Sequence, residues 1–347
     1  MYPCRRTEPD GSVHGRSPEG RWRHGCGDAA WLGSVLSDIA PFDTALSEGP
    51  EATAIWTRAA DGLRLRAGYW SAKDPRGSIL LFTGRTEYLE KYGRVARDLT
   101  DAGYSILSMD WRGQGLSDRV TDDARLGHID DFADYQMDVA AFVAMAEEVD
   151  LPKPWYLIGH SMGGAIGLRA LINGLPVEKA IFSAPMWGIF VIPNLRPIAL
   201  VLPGIARLFG KELYTIPGTS PRGYVVDSSF ENNLLTTDRE TWGYMERQAR
   251  AEPAFSLGGP TVHWFETAIA EAAALRAATL PTLPVKTIAG TREGVIDRKS
   301  LILMHEKWPS GSLEWIEGGR HELMMEAPAI RQQFFAKTLA FLGGDDA

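Results

Sequence analysis

Cysteine is almost missing from this 347-residue chain: there are two, Cys4 and Cys26, both near the start. A disulfide-stapled framework is excluded, and a body free of cysteine suits a reducing compartment. His14 and His24 lie close to the two cysteines, but the spacing fits no ligand pattern, so no metal is expected there. Positive charge is also short. The balance of 36 Lys and Arg against 44 Asp and Glu gives a net charge of −8. An acidic chain without a basic stripe is a poor partner for nucleic acid, and that class is set aside. The first thirty residues scatter Arg5, Arg6, Arg16, Arg21 and Arg23 among Gly, Ser, Pro and Glu, with no apolar periodicity. They lack the apolar run of about 7–15 residues that an export signal needs. Residues 1–48 are therefore expected to be a disordered or loosely attached tail on a cytoplasmic protein.

What is present is an apolar body, with hydrophobic residues at 45%, enough for one large core. Alternation over residues 52–70 with Asp61-Gly62 between its halves predicts a β-hairpin. Continuous apolar runs follow at 79–82, 104–109, 155–158 and 179–183, and again at 285–289 and 312–316. Such runs mark strands buried on both faces. Helical spacing separates them, at 88–99, 129–150 and 164–175, then at 299–308 and 327–342. Strand and helix in alternation predict a doubly wound, mostly parallel α/β sheet. The alternation stops after Pro185. Residues 186–280 therefore read as an inserted, mainly helical cap, with helices over 239–251 and 262–277, between core segments 49–185 and 281–347. Pro193, Pro197 and Pro203 break the early cap too often for a bilayer span, which needs about 20 apolar residues in a row. Gly113-x-Gly115 lacks the third glycine of a dinucleotide fingerprint and reads as a tight loop.

Chemistry enters at Gly159-His160-Ser161-Met162-Gly163, a G-x-S-x-G between a strand and a helix. That context predicts a nucleophile elbow, with Ser161 on a sharp turn and small residues two positions either side. A serine hydroxyl needs a base held by a third group. On such a fold the order is Ser, then acid, then His, each on a loop after a strand. Of the seven histidines, only His305 and His321 follow the strand that should carry the acid. His305 falls within a helical stretch, which leaves His321, in Gly318-Gly319-Arg320-His321, as the base. Two carboxylates compete for the acid. Glu293 sits nearer the strand end and is preferred, while Asp297 has the look of a helix N-cap. The backbone N–H groups of Met162 and Arg85 are the candidate oxyanion donors, the Arg85 side chain being free to pair with an acid such as Glu87.

Together with Thr83-Gly84-Arg85-Thr86-Glu87-Tyr88, Asp110-Trp111-Arg112-Gly113-Gln114-Gly115-Leu116-Ser117 and Gly319-Arg320-His321-Glu322, the elbow resembles the monoacylglycerol lipase and lysophospholipase group of α/β-hydrolases, its bacterial lysophospholipases most of all. Asn233-Leu234-Leu235-Thr236-Thr237-Asp238 and Gly258-Gly259-Pro260-Thr261 in the insertion share that likeness. The resemblance implies hydrolysis of the carboxylic ester of a single-chain lipid, a lysophospholipid or a monoacylglycerol, through an acyl-enzyme on Ser161, with no metal or organic cofactor. Thr83 and Glu293 depart from it, standing where the wider group usually has His and Asp. A short-chain esterase or an acyltransferase is the alternative enzyme, and a ligand-binding relative without catalysis the alternative of another class. Between residues 186 and 222 four basic residues face one acid, a local net of +3 within an apolar segment. Peripheral contact of the cap with an anionic membrane is the partner this suggests.

Overall fold

The computed structural model describes residues 38–220 and 222–344, the side chain of Leu200 excepted. Cys4, Cys26, His14 and His24 lie outside them. Among the described residues eight strands form one sheet: β1 (Thr53–Arg58), β2 (Arg64–Trp70), β3 (Ser78–Phe82), β4 (Ser105–Asp110), β5 (Trp155–His160), β6 (Lys179–Ser183), β7 (Val285–Gly290) and β8 (Gly311–Ile316). Their order is β1-β2-β4-β3-β5-β6-β7-β8. The β1–β2 hairpin joins β4 antiparallel, and every pairing from β4 to β8 is parallel. Ten helices accompany the sheet among the described residues: α1 (Thr44–Ser47), α2 (Gly93–Asp101), α3 (Tyr135–Glu148), α4 (Met162–Ile172), α5 (Arg196–Leu208), α6 (Tyr224–Asp227), α7 (Arg239–Ala251), α8 (Val262–Ala277), α9 (Arg298–His305) and α10 (Pro328–Gly343).

The continuous apolar runs are explained by the layers. In β3, Leu80 and Phe82 join the core that also contains Phe142 of α3, Leu168 of α4 and Met304 of α9. Ile79 and Leu81 point the other way, into the core that contains Val95 and Leu99 of α2 and Phe334 of α10. Successive side chains of a strand face opposite sides, so a strand covered by helices on both must be apolar throughout. Each such Leu, Ile or Phe contributes about 1.5–3 kcal/mol of burial. At the antiparallel end Arg66 of β2 lies buried between Asp110 of β4, which ties the two strands together, and Glu90 in the turn before α2.

Two stretches differ from the sequence reading. Residues 38–48, assigned above to the tail, dock on the sheet edge. Ile39 bridges Ile55, Ser47 accepts the Tyr244 hydroxyl at 2.7 Å, and Glu48 pairs with Arg94 and Arg247. Besides these polar contacts only Ala40 and Phe42, which packs on Trp70, enter the core, too few apolar positions to make a period in the sequence. The proline-broken part of the insertion contains a thirteen-residue helix, α5, with Pro197 in its first turn and Pro203 inside. Proline is tolerated in a first turn, where the N–H has no partner anyway, whereas an interior proline gives up one hydrogen bond. Four helices, α5 to α8, separate β6 from β7, its neighbour in the sheet.

Candidate active site

Ser161 stands between the end of β5 and the start of α4 with φ 50° and ψ −118°. A non-glycine residue in such a conformation costs roughly 1–3 kcal/mol and persists only where its surroundings hold it. Here they do. The Ser161 N–H donates to Ser183 O at 3.1 Å and its carbonyl accepts from Met186 N–H at 2.8 Å, pinning the turn to the loop after β6. Glycine is required next door: a Cβ on Gly163 would run into the carbonyl oxygens of Phe82 and Thr83. The helix can therefore approach the end of β3, and the loop that follows it, only because position 163 is bare.

The structure brings three of the expected residues into one chain of hydrogen bonds. Ser161 Oγ lies 2.8 Å from His321 Nε2, and His321 Nδ1 lies 2.7 Å from Glu293 Oε2. All three are buried. The other Glu293 oxygen accepts the N–H groups of Val295 at 2.6 Å and Ile296 at 3.2 Å. Burial would raise the Glu293 carboxyl, but His321 and these N–H donors outweigh it and hold the group below its ordinary value. An ionised carboxylate only accepts, so Nδ1 carries the imidazole proton and Nε2 is left to accept from the serine hydroxyl.

Asp297 is not brought to His321. It caps α9, one oxygen accepting Lys299 N–H at 3.2 Å and the other the Ser300 hydroxyl at 3.0 Å. His305 ends α9, stacked on Trp308 with ring centres 5.7 Å apart. Arg85 follows Gly84 in the loop after β3, and Met162 opens α4, where the first N–H groups of a helix have no intrahelical acceptor. The Arg85 side chain does not pair with Glu87. Its Nη2 donates to Gly258 O at 2.7 Å and its guanidinium lies 5.1 Å from the Trp264 ring centre, because both Glu87 oxygens are already taken. One accepts from Lys91 Nζ, the other from the Tyr92 hydroxyl and the Gly84 N–H.

The sequence reading missed a buried charged cluster under the elbow. Lys91 Nζ bridges Glu87 at 2.5 Å and Glu322 at 2.8 Å. His160 completes it, with Nε2 3.3 Å from Glu322 Oε2 and 3.8 Å from Glu87. Its Nδ1 lies 3.1 Å from Ser183 O, and a carbonyl oxygen can only accept, so Nδ1 is a donor. Nε2 faces the two carboxylates without hydrogen-bond geometry to either, and their charge favours the protonated imidazole. Burial alone would lower the imidazole, but Glu322 and Glu87 raise it; burial likewise opposes ionised Glu322, which Lys91 and His160 hold well below its ordinary value. Glu87, His160 and Glu322 offer donor atoms of metal-binding type within 4.8 Å of one another, but the cation seated between the carboxylates is the Lys91 ammonium. His160 and Glu322 adjoin Ser161 and His321 in the chain, the one signal that pointed to them.

Ser161 and His321 open into a cavity of about 360 Å³ whose walls are mainly apolar, with Met186, Leu235, Phe255, Leu257, Trp264 and Phe265 among them. Among the described residues no helix is long and apolar enough to cross a membrane.

The chain is similar to proteins of a known family. A family model described as serine aminopeptidase, S33 (Hydrolase_4), matches residues 73–328. Lysophospholipase L2 of Escherichia coli (strain K12) is 31% identical over 278 residues, 73% of this chain and 76% of its own length. A probable lysophospholipase L2 of Haemophilus influenzae is 27% identical over 270 residues, 77% of this chain and 84% of its own. A soluble variant of the Saccharomyces cerevisiae monoglyceride lipase, solved with a substrate analog, shares the fold with a TM-score of 0.68 at 20% identity, over 88% of this chain and 99% of that one. With a family match over most of its length and the corresponding fold, the chain belongs to the Hydrolase_4 family of α/β-hydrolases and is a serine hydrolase.

Proposed function

We propose that the protein hydrolyses the carboxylic ester of a single-chain lipid, a lysophospholipid or a monoacylglycerol, with Ser161 as nucleophile, His321 as general base and Glu293 as the group that orients and stabilises the imidazolium. The observation that carries the reading is the Ser161–His321–Glu293 chain opening into a mainly apolar cavity. His321 Nε2 takes the serine proton as Oγ attacks the ester carbonyl, and the charge that develops on the carbonyl oxygen is met by the N–H groups of Met162 and Arg85. The imidazolium then returns its proton to the leaving alcohol, the C–O bond breaks, and the acyl group stays on Ser161. Water, deprotonated by the same imidazole, releases the fatty acid. Loss of one oxyanion donor typically costs about 10²–10³ in rate, which sets the scale of what the two N–H groups contribute.

Residues 186–280 act in this reading as a cap that lines the acyl site and touches the membrane. Ile198, Val201, Ile205 and Leu208 form an exposed row on α5, and Phe190, Ile192 and Phe209 extend it. Two of the four basic residues there are neutralised, Arg207 by Glu266 and Arg222 by Asp227. Among the described residues Arg196 and Lys211 have no carboxylate partner, which suits an anionic surface. Hydrolysis of lysophosphatidylcholine, lysophosphatidylethanolamine, monoacylglycerol and short p-nitrophenyl esters, by the wild type and Ser161→Ala, tests the catalytic reading. Turnover of the long single-chain esters, lost in the variant, is expected. Turnover of short esters alone would replace it with a short-chain carboxylesterase.

A further inference from the structure

The cavity wall holds a cation that the triad and the cluster beneath it leave unused. Glu87 and Glu322 face Lys91 and His160, and Glu293 is committed to His321. Arg85 lines the same cavity as Ser161 and, among the described residues, has no carboxylate partner. Its Nη2 donates to the Gly258 carbonyl, while its Nε is buried with no hydrogen-bond partner at all. Burial pushes the guanidinium down to about 10, with only the Tyr135 hydroxyl acting against it. The group is nonetheless carefully seated. It lies over the Trp264 ring, and Gly127 makes room for it, since a Cβ there would strike Nη2. Arg85 as a whole is half-buried, and a partly desolvated guanidinium without a counter-ion is under-stabilised, so an anion delivered by the ligand gives it the partner it lacks.

We propose that the Arg85 side chain binds the phosphodiester of a lysophospholipid, so that this cation on the cavity wall selects an anionic headgroup over the uncharged glycerol of a monoacylglycerol. The inference rests on the ester-hydrolase reading and narrows its substrate class. The phosphodiester carries one negative charge a few bonds from the scissile carbonyl, and guanidinium pairs with phosphate oxygens through two parallel N–H donors. With the ester at Ser161 and the acyl chain among the apolar walls, the headgroup is the part of the substrate left for Arg85.

The test has a binding arm and a turnover arm. Binding of two non-hydrolysable ethers with the same alkyl chain, a 1-O-alkyl glycerophosphocholine and a 1-O-alkyl glycerol, is measured by calorimetry. Turnover is measured as the ratio of kcat/KM for lysophosphatidylcholine to that for the matching monoacylglycerol. In Arg85→Gln both preferences should fall by about 10- to 100-fold, the range of a hydrogen bond to a charged group. Arg85→Lys should restore part of them, because it keeps the charge but not the fork. Gly127→Ala displaces the guanidinium without removing it and should lower the same ratios, which guards against an Arg85→Gln protein that folds poorly. Equal losses for both lipids would assign Arg85 to holding the cap and overturn the proposal. Should inorganic phosphate compete with the monoacylglycerol while the two ethers bind alike, the ligand is a free anion and the assignment again falls. Headgroup discrimination without turnover of either ester would defeat the hydrolase reading and leave the anion site standing; turnover with unchanged ratios would do the reverse.

Discussion

Replacing Glu293 by glutamine changes one oxygen to nitrogen, and the structure dictates where that nitrogen goes. Glu293 Oε1 accepts two backbone donors, from Val295 and Ile296, so the amide oxygen must stay there. The amide NH₂ is forced to the Oε2 position, 2.7 Å from His321 Nδ1, where it can only donate. His321 answers by placing its proton on Nε2, the atom that should accept from Ser161 Oγ at 2.8 Å. Shape is preserved while the base is held in the wrong tautomer and the imidazolium loses its counter-charge. In a serine protease the corresponding Asp→Asn change lowers kcat by about 10⁴, equivalent to about 5.5 kcal/mol, and a loss of that order is expected here. Steady-state hydrolysis of a p-nitrophenyl ester measures it, with a thermal melt to show the fold is kept. Asp297→Asn is the paired control. Asparagine caps a helix as well as aspartate does, so activity should stay within about threefold and stability nearly unchanged. Were Asp297→Asn the more damaging change, the acid assignment and the tautomer argument would both be refuted.

The buried cluster has a pH signature. His160, raised, contributes stability that is complete below the ordinary imidazole value of 6.5 and lost as pH rises through its folded value; Glu322, lowered, contributes stability present above 4.5 and lost as pH falls through its folded value. The melting-temperature gap between the wild type and Glu322→Gln should therefore be widest between those two pH values and narrow on either side, and a gap independent of pH would contradict an ionised cluster. Gly163→Ala drives a Cβ at the carbonyls of Phe82 and Thr83, and should cost about 1–3 kcal/mol in chemical denaturation together with a fall in kcat. On α5, Val201→Asp with Ile205→Asp should lower co-sedimentation with anionic vesicles at least about tenfold, since both side chains are exposed on the apolar row. Equal sedimentation of the wild type with neutral and anionic vesicles would remove the electrostatic part of that contact.

What the sequence disclosed and what it hid follow from the range of the interactions. Residues 79–82 are apolar because both sheet faces are covered, so β3 is visible in a short window. Ser161 sits in a local motif, and chain order together with the helix around His305 isolates His321. Glu293 and Asp297 lie four residues apart with similar chemistry, and only the path of the loop separates a histidine partner from a helix cap. The charged cluster was out of reach, because Lys91 meets Glu322 across 231 residues and no local pattern joins them. Arg85 is held by a carbonyl 173 residues away, a backbone group that no side-chain pattern reveals. Pro203 hid α5, whose apolar row otherwise repeats at helical spacing through Ile198, Val201, Ile205 and Leu208.

The acyl-enzyme is the central claim, and it can be trapped. Wild-type protein mixed with lysophosphatidylcholine, quenched in acid during turnover and mapped by peptide mass spectrometry, should carry the fatty acyl mass on Ser161, with neither adduct nor turnover in Ser161→Ala. Turnover that persists in Ser161→Ala, or an acyl group found on another residue, would contradict the account.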